Sequence, residues 1–215
     1  MVGQILKHTV DFLVLLKQIS TGANLTAVTA PRDYADRHWA ESMLLYKVTQ
    51  HCCWSADLLD LGSGAGVPGI PLAIFLAPAR TTLVERSRKR AAFLRLAVRS
   101  AHLPTSVVVL NLDLTFSTIA LAPNLLGACT IMLARAVASP TRLVPLAERL
   151  LAPGGALVLS YPTHAPTTLP ALLRSCQPPA PFLAPAIHRT ALPLSGAPRT
   201  IVELRKIAAD IPPPP

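Results

Sequence analysis

The stretch Asp57–Ala73 constrains the fold of this chain more than any other feature. A short apolar run carrying Asp60 passes straight into a glycine-rich turn, and the chain then reads as a helix with Pro68 and Pro71 near its start. Proline costs little there, because the first helical N–H groups have no partner within the helix. Three residues of the turn lack the Cβ atom that would keep the backbone away from a ligand: Gly62, Gly64 and Gly66. Strand, glycine turn and helix in this order predict a nucleotide-binding geometry.

The glycine spacing distinguishes two kinds of cofactor site. The dinucleotide fingerprint G-x-G-x-x-G is matched only in part, over Gly64–Gly69, and two prolines near the helix start leave fewer N–H donors for a pyrophosphate. The pattern Asp60-x-Gly-x-Gly-x-Gly66 instead resembles the first motif of the class I S-adenosylmethionine (SAM) methyltransferases, whose turn accommodates the amino-acid end of the cofactor. A glycine turn without a ligand is the alternative. The resemblance implies these SAM-binding residues: Asp60, Gly62, Ser63, Gly64, Ala65 and Gly66.

Strands and helices alternate along the middle of the chain. Strands are predicted over 56–61, 81–85, 106–110, 129–134, 155–160 and 199–205, and helices over 68–76, 89–101 and 141–151, with a weaker helical stretch near 114–121. Nine of the 37 residues from 162 to 198 are proline, which argues against long helices there. The alternation predicts an α/β fold with a mostly parallel sheet. The resemblance of the glycine turn implies that this is a Rossmann-like sheet of the class I methyltransferase type. Ligands of such sheets bind outside the carboxyl ends of the strands.

Helices are also predicted ahead of the sheet, over 4–18 and 33–48, as an N-terminal helical cap of residues 1–50. The periodicity of the first helix predicts these buried side chains: Leu6, Val10, Leu13, Val14 and Ile19. The SAM-binding methyltransferase domain is expected to cover residues 51–207, and a proline-rich tail residues 208–215. The predicted organisation is thus one catalytic domain with a helical extension.

The charge of the chain favours an anionic partner. Its formal net charge is +9 and its sequence pI is about 10.0. Six basic residues and no acid lie between Arg86 and Arg99. On the predicted helix, Arg88, Arg95 and Arg99 share one face and apolar residues occupy another. That basic face either contacts phosphates or is only solvated, and composition does not separate the two.

Hydropathy and cysteine usage narrow the class of protein. Mean hydropathy is +0.45, yet no uncharged apolar run of about 18 residues escapes interruption by proline, glycine or asparagine. The first residues lack the long apolar segment of a signal peptide. A soluble, cytoplasmic protein without membrane contact is therefore expected. The four cysteines show neither C-x-x-C spacing nor a disulfide framework, so no metal site is expected.

Two charged residues fall at the ends of predicted strands. Glu85 ends the second strand, about 20 residues beyond the glycine turn, where a carboxylate can accept hydrogen bonds from both hydroxyls of a ribose. Arg135 ends the fourth strand among small apolar residues, where an unpaired charge is costly. Its candidate partners are the carboxylate of the cofactor, an RNA phosphate or a guanine O6. The alternative is a structural salt bridge to Asp60 or Asp57.

Several blocks resemble the bacterial 16S ribosomal RNA guanine-N7 methyltransferases of the glucose-inhibited-division protein B type. They are Asn24–Ala27, Arg37-His38 with Glu41-Ser42, Leu59–Ala73, Glu85 with Lys89–Arg95, Ala134–Ala138, Pro153–Gly155 and Arg199–Val202. The likeness spans residues 10–206, and the glycine-rich block together with Lys89–Leu94 is its specific part. It implies a monomeric enzyme that transfers a methyl group from SAM to N7 of a guanine in 16S rRNA, as free RNA or in the small ribosomal subunit.

The resemblance also implies further site residues. An acid and an apolar neighbour after the third strand, Asp113 and Leu112, would contact the adenine, with helix capping by Asp113 as the alternative. The predicted cofactor contacts beyond the glycine turn are Glu85, Arg86, Leu112, Asp113 and Arg135. The predicted catalytic residues, which would hold the base and its phosphates, are Arg135, Arg37 and His38. For His38, a structural place at the sheet edge is equally open.

Two departures from the family pattern concern the acceptor. The fifth strand ends in Leu159-Ser-Tyr161 where the family usually has Leu-Lys-Gly, and residues 162–198 are rich in proline where the family has a charged helix. One alternative is therefore a SAM-dependent paralogue that acts on another RNA or a small molecule. Another is a non-catalytic RNA-binding or assembly protein, against which the intact glycine turn and Glu85 argue. Tyr161 is assigned a weak base-stacking role.

Overall fold

The computed structural model describes residues 2–23, 30–51, 57–135, 138–162 and 182–208. Its helices are α1 (Val2–Ala23), α2 (Pro31–Tyr34), a π-helical turn (Ala35–Ala40), α3 (Glu41–Val48), α4 (Gly69–Leu76), α5 (Arg88–Ser100) and α6 (Pro140–Leu150), with 3₁₀ turns at Ile119–Leu121 and Pro123–Leu125. Its strands are β1 (Asp57–Leu61), β2 (Arg80–Val84), β3 (Val107–Leu110), β4 (Cys129–Arg135), β5 (Leu151–Pro162), β6 (Ala186–Ala191) and β7 (Pro198–Arg205). The predicted alternation of strands and helices from β1 to β5 is confirmed.

The seven strands form one sheet in the order β3-β2-β1-β4-β5-β7-β6. The first five strands pair in parallel, whereas β7 is antiparallel to both β5 and β6. Because the strand order reverses between β1 and β4, a crevice lies beyond the carboxyl ends of these two neighbours. The mostly parallel sheet predicted from the sequence is therefore confirmed, with an antiparallel addition at one edge.

Helices cover both faces of the sheet. On one face α1 contacts α4 and α5, and its core cluster includes Phe12, Ile70 and Leu94. On the other face α6 contributes Leu146 and Leu150 to a second cluster. Strands covered on both sides are apolar at nearly every position. In β1 the three leucines and Asp60 are all buried, as expected for a strand covered on both faces.

The face of α1 that is buried differs from the prediction. Leu6, Val10 and Val14 were expected in the core but are 63%, 48% and 48% exposed. The helix instead buries Phe12 and Leu16 completely, while the two other expected core residues are half-buried: Leu13 and Ile19. Val10 and Val14 lie two positions ahead of the buried pair, which is about 200° around a helix. The sequence offers two apolar stripes, and the larger Phe12 side chain decides which one faces α5.

The proline-rich part of the chain contains a strand that the sequence did not reveal. β6 runs antiparallel to β7 at the edge of the sheet and lies between Pro185 and Pro193. Proline is tolerated next to an edge strand because one side of that strand needs no hydrogen-bond donors. The weaker helical stretch expected near 114–121 is reduced to a 3₁₀ turn at Ile119–Leu121, and a second 3₁₀ turn follows at Pro123–Leu125. The other predicted sheet elements agree with the structure to within two residues, except that β5 already begins at Leu151.

The basic face of α5 is confirmed. Arg88, Arg95 and Arg99 are exposed, and the opposite face buries Ala91, Phe93, Leu94 and Ala97. The proposed boundaries at residues 50 and 207 stay predictions, and Asn24–Ala27, Cys52, Cys53, Cys176 and residues 209–215 lie outside the described residues. Within the described residues, no helix combines the length and apolar character needed to cross a membrane.

Candidate active site

A cavity of about 870 Å³ opens at the carboxyl edge of the sheet. It extends from the ends of β1 and β2, past the segment that follows β3, to the end of β4 and the first turns of α6. The charged and aromatic side chains that line it are Glu85, Arg86, Arg90, Asp113, Phe116, Arg135 and Arg142. A cavity at this point of a doubly wound sheet is where a cofactor binds.

The glycine turn adjoins the cavity through Gly62 and is bonded to the neighbouring strand. The N–H groups of Gly62 and Ser63 both donate to the carbonyl of Val84, at 2.8 and 3.0 Å. Gly62, Gly64 and Gly66 have φ values of 72°, 54° and 84°, which residues with a Cβ rarely adopt. A Cβ on Gly64 would approach no heavy atom closer than 3.7 Å. The backbone at Gly64 thus faces open space, as a turn that receives a ligand must.

Glu85 braces this turn and lines the cavity. Its Oε2 accepts from the N–H of Gly64 at 3.0 Å, and its Oε1 accepts from the N–H of Ser87 at 2.7 Å. The side chain of Asn111, directly after β3, donates to the carbonyls of Glu85 and Arg86 at 2.9 and 3.0 Å. The sequence analysis did not assign Asn111 this role. An Asn directly after a predicted strand is nevertheless a signal for a side chain that bonds to backbone groups. The carboxylate is therefore held at the end of β2, where a ribose can reach it.

Asp60 lies behind the turn. It is buried, and its Oδ2 accepts from the N–H of Gly69 at the start of α4, at 3.1 Å. Burial raises the pKa of this carboxyl to about 6, and the bond from Gly69 opposes that rise. Asp60 is not among the described residues that line the cavity. The structure thus gives it a role in holding the helix start, and a contact with the cofactor stays a prediction.

The remaining predicted cofactor residues fall into two groups. Gly62, Glu85, Arg86, Leu112, Asp113 and Arg135 line the cavity. Four others shape the turn from behind or beside the cavity: Ser63, Gly64, Ala65 and Gly66. The hydroxyl of Ser63 donates to the carbonyl of Asp60 at 2.8 Å, and Ala65 packs against the core beside α5. Asp113 is exposed, and its carbonyl accepts from the Thr118 hydroxyl at 2.6 Å.

Arg135 reaches the cavity from the end of β4, but its ion-pair partner differs from both acids named as structural alternatives. Its Nη2 lies 3.4 Å from Oε2 of Glu41, in α3, and not within ion-pair distance of Asp60 or Asp57. Glu41 comes from the N-terminal helices, 94 residues earlier in the chain by numbering. A sequence gives no signal for a pair this far apart, since its two members share neither a motif nor an element.

The other two predicted catalytic residues lie off the cavity. His38 is 3% exposed, its ring meets the edge of Tyr34 at 5.4 Å between centroids, and neither it nor exposed Arg37 is among the residues that line the cavity. Burial, together with the nearby positive charge of Arg135, lowers the pKa of His38 to about 4. His38 is thus a neutral side chain beside Arg135 at neutral pH. The catalytic roles of His38 and Arg37 stay predictions.

Two further residues considered in the sequence analysis, Tyr161 and Cys129, belong to the apolar core or pack against it. Tyr161 packs against the core beside α6. Cys129 is buried, and burial raises the pKa of its thiol to about 12, so it is not a nucleophile at neutral pH. In the part of the chain that the structure describes, no three His, Cys, Asp or Glu side chains form a group that could hold a metal.

Solved methyltransferases share this fold. A predicted O-methyltransferase from Agrobacterium tumefaciens superposes with a TM-score of 0.62 at 23% identity, covering 78% of this chain and 81% of that one. A fibrillarin/Nop5p complex gives a TM-score of 0.59 at 16% identity, covering 80% and 82%. At such identities the likeness concerns the fold alone. With the glycine turn and Glu85 in place, it defines a class I methyltransferase.

Sequence comparison identifies the family. The family described as rRNA small subunit methyltransferase G matches residues 5–177. A ribosomal RNA small subunit methyltransferase G from Anaeromyxobacter sp. (strain Fw109-5) is 31% identical over 182 residues, which are 85% of this chain and 80% of the relative. One from Xanthomonas euvesicatoria pv. vesicatoria (strain 85-10) is 32% identical over 195 residues, 91% and 84%. The chain belongs to this family, which confirms the resemblance found in the sequence.

The cofactor of this class is SAM, and the residues present fit it. The turn offers open backbone at Gly64, which suits the amino-acid end of the cofactor. Glu85 is a buried carboxylate positioned for ribose hydroxyls, and the cavity continues to Leu112 and Asp113, where the adenine is expected.

Proposed function

We propose that this protein transfers the methyl group of SAM to N7 of a guanine in the 16S rRNA of the small ribosomal subunit. The relatives named above are ribosomal RNA small subunit methyltransferases. Membership of their family supports the reaction type and the class of acceptor. The sequence departure at Leu159-Ser-Tyr161 bears only on the acceptor side.

The observation that carries the proposal is the charge around the mouth of the cavity. Arg86, Arg90 and Arg142 are exposed residues that line it, and the partly buried Arg135 lines it as well. The acids that line it are Asp113 and Glu85, and both oxygens of Glu85 already accept from backbone N–H groups. A basic rim around a cofactor cavity attracts a polyanion and positions its phosphates.

One aromatic side chain on this rim suits a nucleobase. Phe116 is 57% exposed and lines the cavity. The guanidinium of Arg149 lies 6.0 Å from the centre of its ring. Unpaired bases stack on exposed aromatic side chains flanked by arginine in many RNA-binding proteins. Phe116 was not singled out in the sequence, because a lone aromatic residue after a strand has no distinguishing pattern.

The reaction asks little acid–base chemistry of the protein. Bound SAM supplies an electrophilic methyl group on a sulfonium centre. Guanine N7 carries a lone pair in the plane of the ring, so it needs no general base. The residues of the chain have to align acceptor and donor, and such alignment contributes about 7–11 kcal/mol to lowering a reaction barrier. We assign the holding of the base or its phosphate to Arg135, which lines the cavity at the end of β4.

The proposal is tested by incubating the purified full-length protein with radiolabelled SAM and, separately, small ribosomal subunits, free 16S rRNA or a metabolite extract. The expected result is label in 16S rRNA that nuclease digestion releases as 7-methylguanosine. Label found only in small molecules, or in a different RNA, contradicts the proposal and supports a paralogue with another acceptor. SAM binding by calorimetry without any transfer supports a non-catalytic RNA-binding protein.

A further inference from the structure

A buried carboxylate from the N-terminal helices lies at the active-site edge of the sheet. The side chain of Glu41, at the start of α3, is 4% exposed. Its Oε2 lies 3.2 Å from Nε and 3.2 Å from Nη2 of Arg199, in β7. Its Oε1 accepts from the hydroxyl of Ser160, in β5, at 3.1 Å. One carboxylate therefore joins a helix to two strands of the sheet.

The same carboxylate contacts the arginine of the cavity wall. Nη2 of Arg135 lies 3.4 Å from Oε2 of Glu41, and its side chain is 28% exposed whereas that of Arg199 is 10% exposed. Arg199 thus presents two nitrogens to Glu41 from a buried position. Arg135 presents one nitrogen and also lines the cavity. Since a guanidinium carries five N–H donors, Arg135 can bind Glu41 and still offer donors to a ligand.

Other contacts fix the segment that carries Glu41. Asp36, in the π-helical turn before α3, accepts from the N–H groups of Leu194 and Ser195 at 3.0 and 3.1 Å. Arg32 donates to the carbonyl of Leu194 at 3.0 Å. Leu194 and Ser195 lie in the connection between β6 and β7, next to the strand of Arg199. The N-terminal helices are therefore bonded to the sheet edge around Glu41, which keeps its carboxylate in place.

Arg135 is the cation of this group that reaches the cavity. Of the two arginines, Arg135 is the more exposed and lines the cavity. Arg199 is more buried, and the negative charge of Asp36 acts on it in addition to that of Glu41. His38, whose pKa is lowered by burial to about 4, adds no charge beside Arg135 at neutral pH. The Arg135 guanidinium is thus the group of this cluster that can meet an acceptor in the cavity.

We propose that Glu41 is a positioning residue for methyl transfer, which holds the Arg135 guanidinium at the cavity wall with its remaining N–H groups toward the acceptor. This rests on the proposed function. It means that the N-terminal helices form part of the active site, although the SAM-binding turn lies entirely within the sheet domain. Arg199 and Ser160 anchor Glu41, and Arg135 is the group that Glu41 orients.

The test compares Glu41→Gln and Glu41→Asp with the wild-type full-length protein. Gln removes the charge, and Asp keeps it but withdraws the carboxylate by one methylene. SAM affinity is measured by calorimetry, and kcat and KM are measured with 16S rRNA or small subunits. We expect kcat/KM to fall about 10-fold to 100-fold in both variants, because small displacements of a positioning group cost about that much. SAM affinity is expected to stay within about twofold. Glu148→Gln, an acid on α6 outside the cavity lining, is the matched control and should change neither.

A double-mutant cycle separates positioning from a structural role. Combined with Arg135→Lys, Glu41→Gln should cause little further loss of turnover, because its effect passes through the Arg135 guanidinium. A full additional loss in that background overturns the proposal, and so does wild-type turnover in Glu41→Gln or a parallel loss of SAM affinity. If Glu41→Gln does not fold, Glu41→Asp decides by the same criteria. A wild-type protein that binds SAM but methylates no RNA overturns the proposed function itself, whereas failure of the variants alone overturns only the role of Glu41.

Discussion

The two sides of the cavity are built in different ways. The cofactor side, residues 62–66 with Glu85, consists of backbone groups and one carboxylate, and its bond from Gly64 to Glu85 spans 21 residues of chain. The acceptor side, Arg135 with Glu41 and Arg199, consists of long side chains, and its bond from Arg199 to Glu41 spans 158 residues. The first depends on local backbone geometry and the second on the packing of distant elements. Changes on the two sides should therefore affect different properties of the enzyme.

The largest effects are expected from two glycines of the cofactor side. A Cβ on Gly66 would lie 2.6 Å from Cδ1 of Ile70 and 3.2 Å from Cδ2 of Leu94, and both neighbours are fully buried. Gly66→Val should lower the free energy of unfolding by about 2–5 kcal/mol, through overpacking and a positive φ. Gly64→Val meets no such neighbour and should cost about 1–2 kcal/mol of stability, yet abolish SAM binding.

Urea denaturation and calorimetry measure the two effects. Normal SAM affinity in Gly64→Val would show that the open space at this glycine does not receive the cofactor. Equal stability losses in the two variants would remove the distinction between a glycine required by packing and one required by a ligand.

Two buried titratable groups beside the cavity, Asp60 next to the glycine turn and His38 next to Arg135, should give opposite dependences of stability on pH. In the folded protein the carboxyl of Asp60 has a pKa of about 6, compared with 3.8 for an ordinary Asp. The free energy of unfolding should therefore fall by about 3 kcal/mol as the pH rises through this interval. Folded His38 has a pKa of about 4, compared with 6.5 for an ordinary His. The contribution of His38 to the free energy of unfolding should therefore rise by about 3 kcal/mol as the pH rises from 4 to 6.5.

Urea titrations between pH 4 and 7 check these signs. Asp60→Asn should leave a stability that increases with pH, and His38→Gln one that decreases with pH. If the two variants show the same slope as the wild-type protein, neither group titrates as its surroundings indicate.

Arg135→Ala should separate turnover from cofactor binding. Loss of one preorganised cation at the reacting centre lowers kcat by about 100-fold in comparable enzymes. The SAM dissociation constant should change by no more than about threefold, because the glycine turn and Glu85 are intact. Steady-state kinetics and calorimetry give the two numbers. Equal losses of both would place Arg135 on the cofactor side instead.

Glu85→Gln is the converse experiment on the cofactor side. Loss of a charged hydrogen-bond acceptor for the ribose and for Gly64 should weaken SAM binding about 10-fold to 100-fold. RNA affinity, measured by filter binding without SAM, should be unchanged. A variant with weakened RNA binding and normal SAM binding would reverse the assignment of the two sides.

The smallest effect is expected outside the cavity, on the basic face of α5. Arg95→Gln should leave stability within about 0.5 kcal/mol, since the side chain is exposed. If this face contacts phosphates, RNA affinity falls a few-fold and the slope of log affinity against log salt decreases by about 1. Lys7→Gln, an exposed cation on α1, is the control. An unchanged salt slope in Arg95→Gln would assign this face to solvent.

The elements best predicted from the sequence are those with a local cause. One continuous sequence pattern predicts β1, the glycine turn and α4. The ribose contact of Glu85 was predicted from its position about 20 residues beyond that turn. β6 was missed because its residues lie between prolines and become a strand only by pairing with β7. The prediction of which face of α1 is buried was wrong, because this helix carries two apolar stripes. Contact with α4 and α5 decides which of the two is buried. Arg135 was recognised as a charge in need of a partner, but its ion-pair partner in the protein is Glu41 and neither Asp60 nor Asp57.

The sequence alone determined the class of fold, the cofactor turn and the family, because these depend on backbone conformations that a short run of residues dictates. The tertiary structure alone decided that Glu41 meets both Arg135 and Arg199, that Asp60 bonds to the start of α4, and that Phe116 and three arginines line one cavity. Those contacts join residues from different elements, and no local pattern encodes them. They form because the burial of apolar faces brings the elements together. A charged side chain that becomes buried in this way is costly unless it is paired, so the packing decides which residues pair with each other.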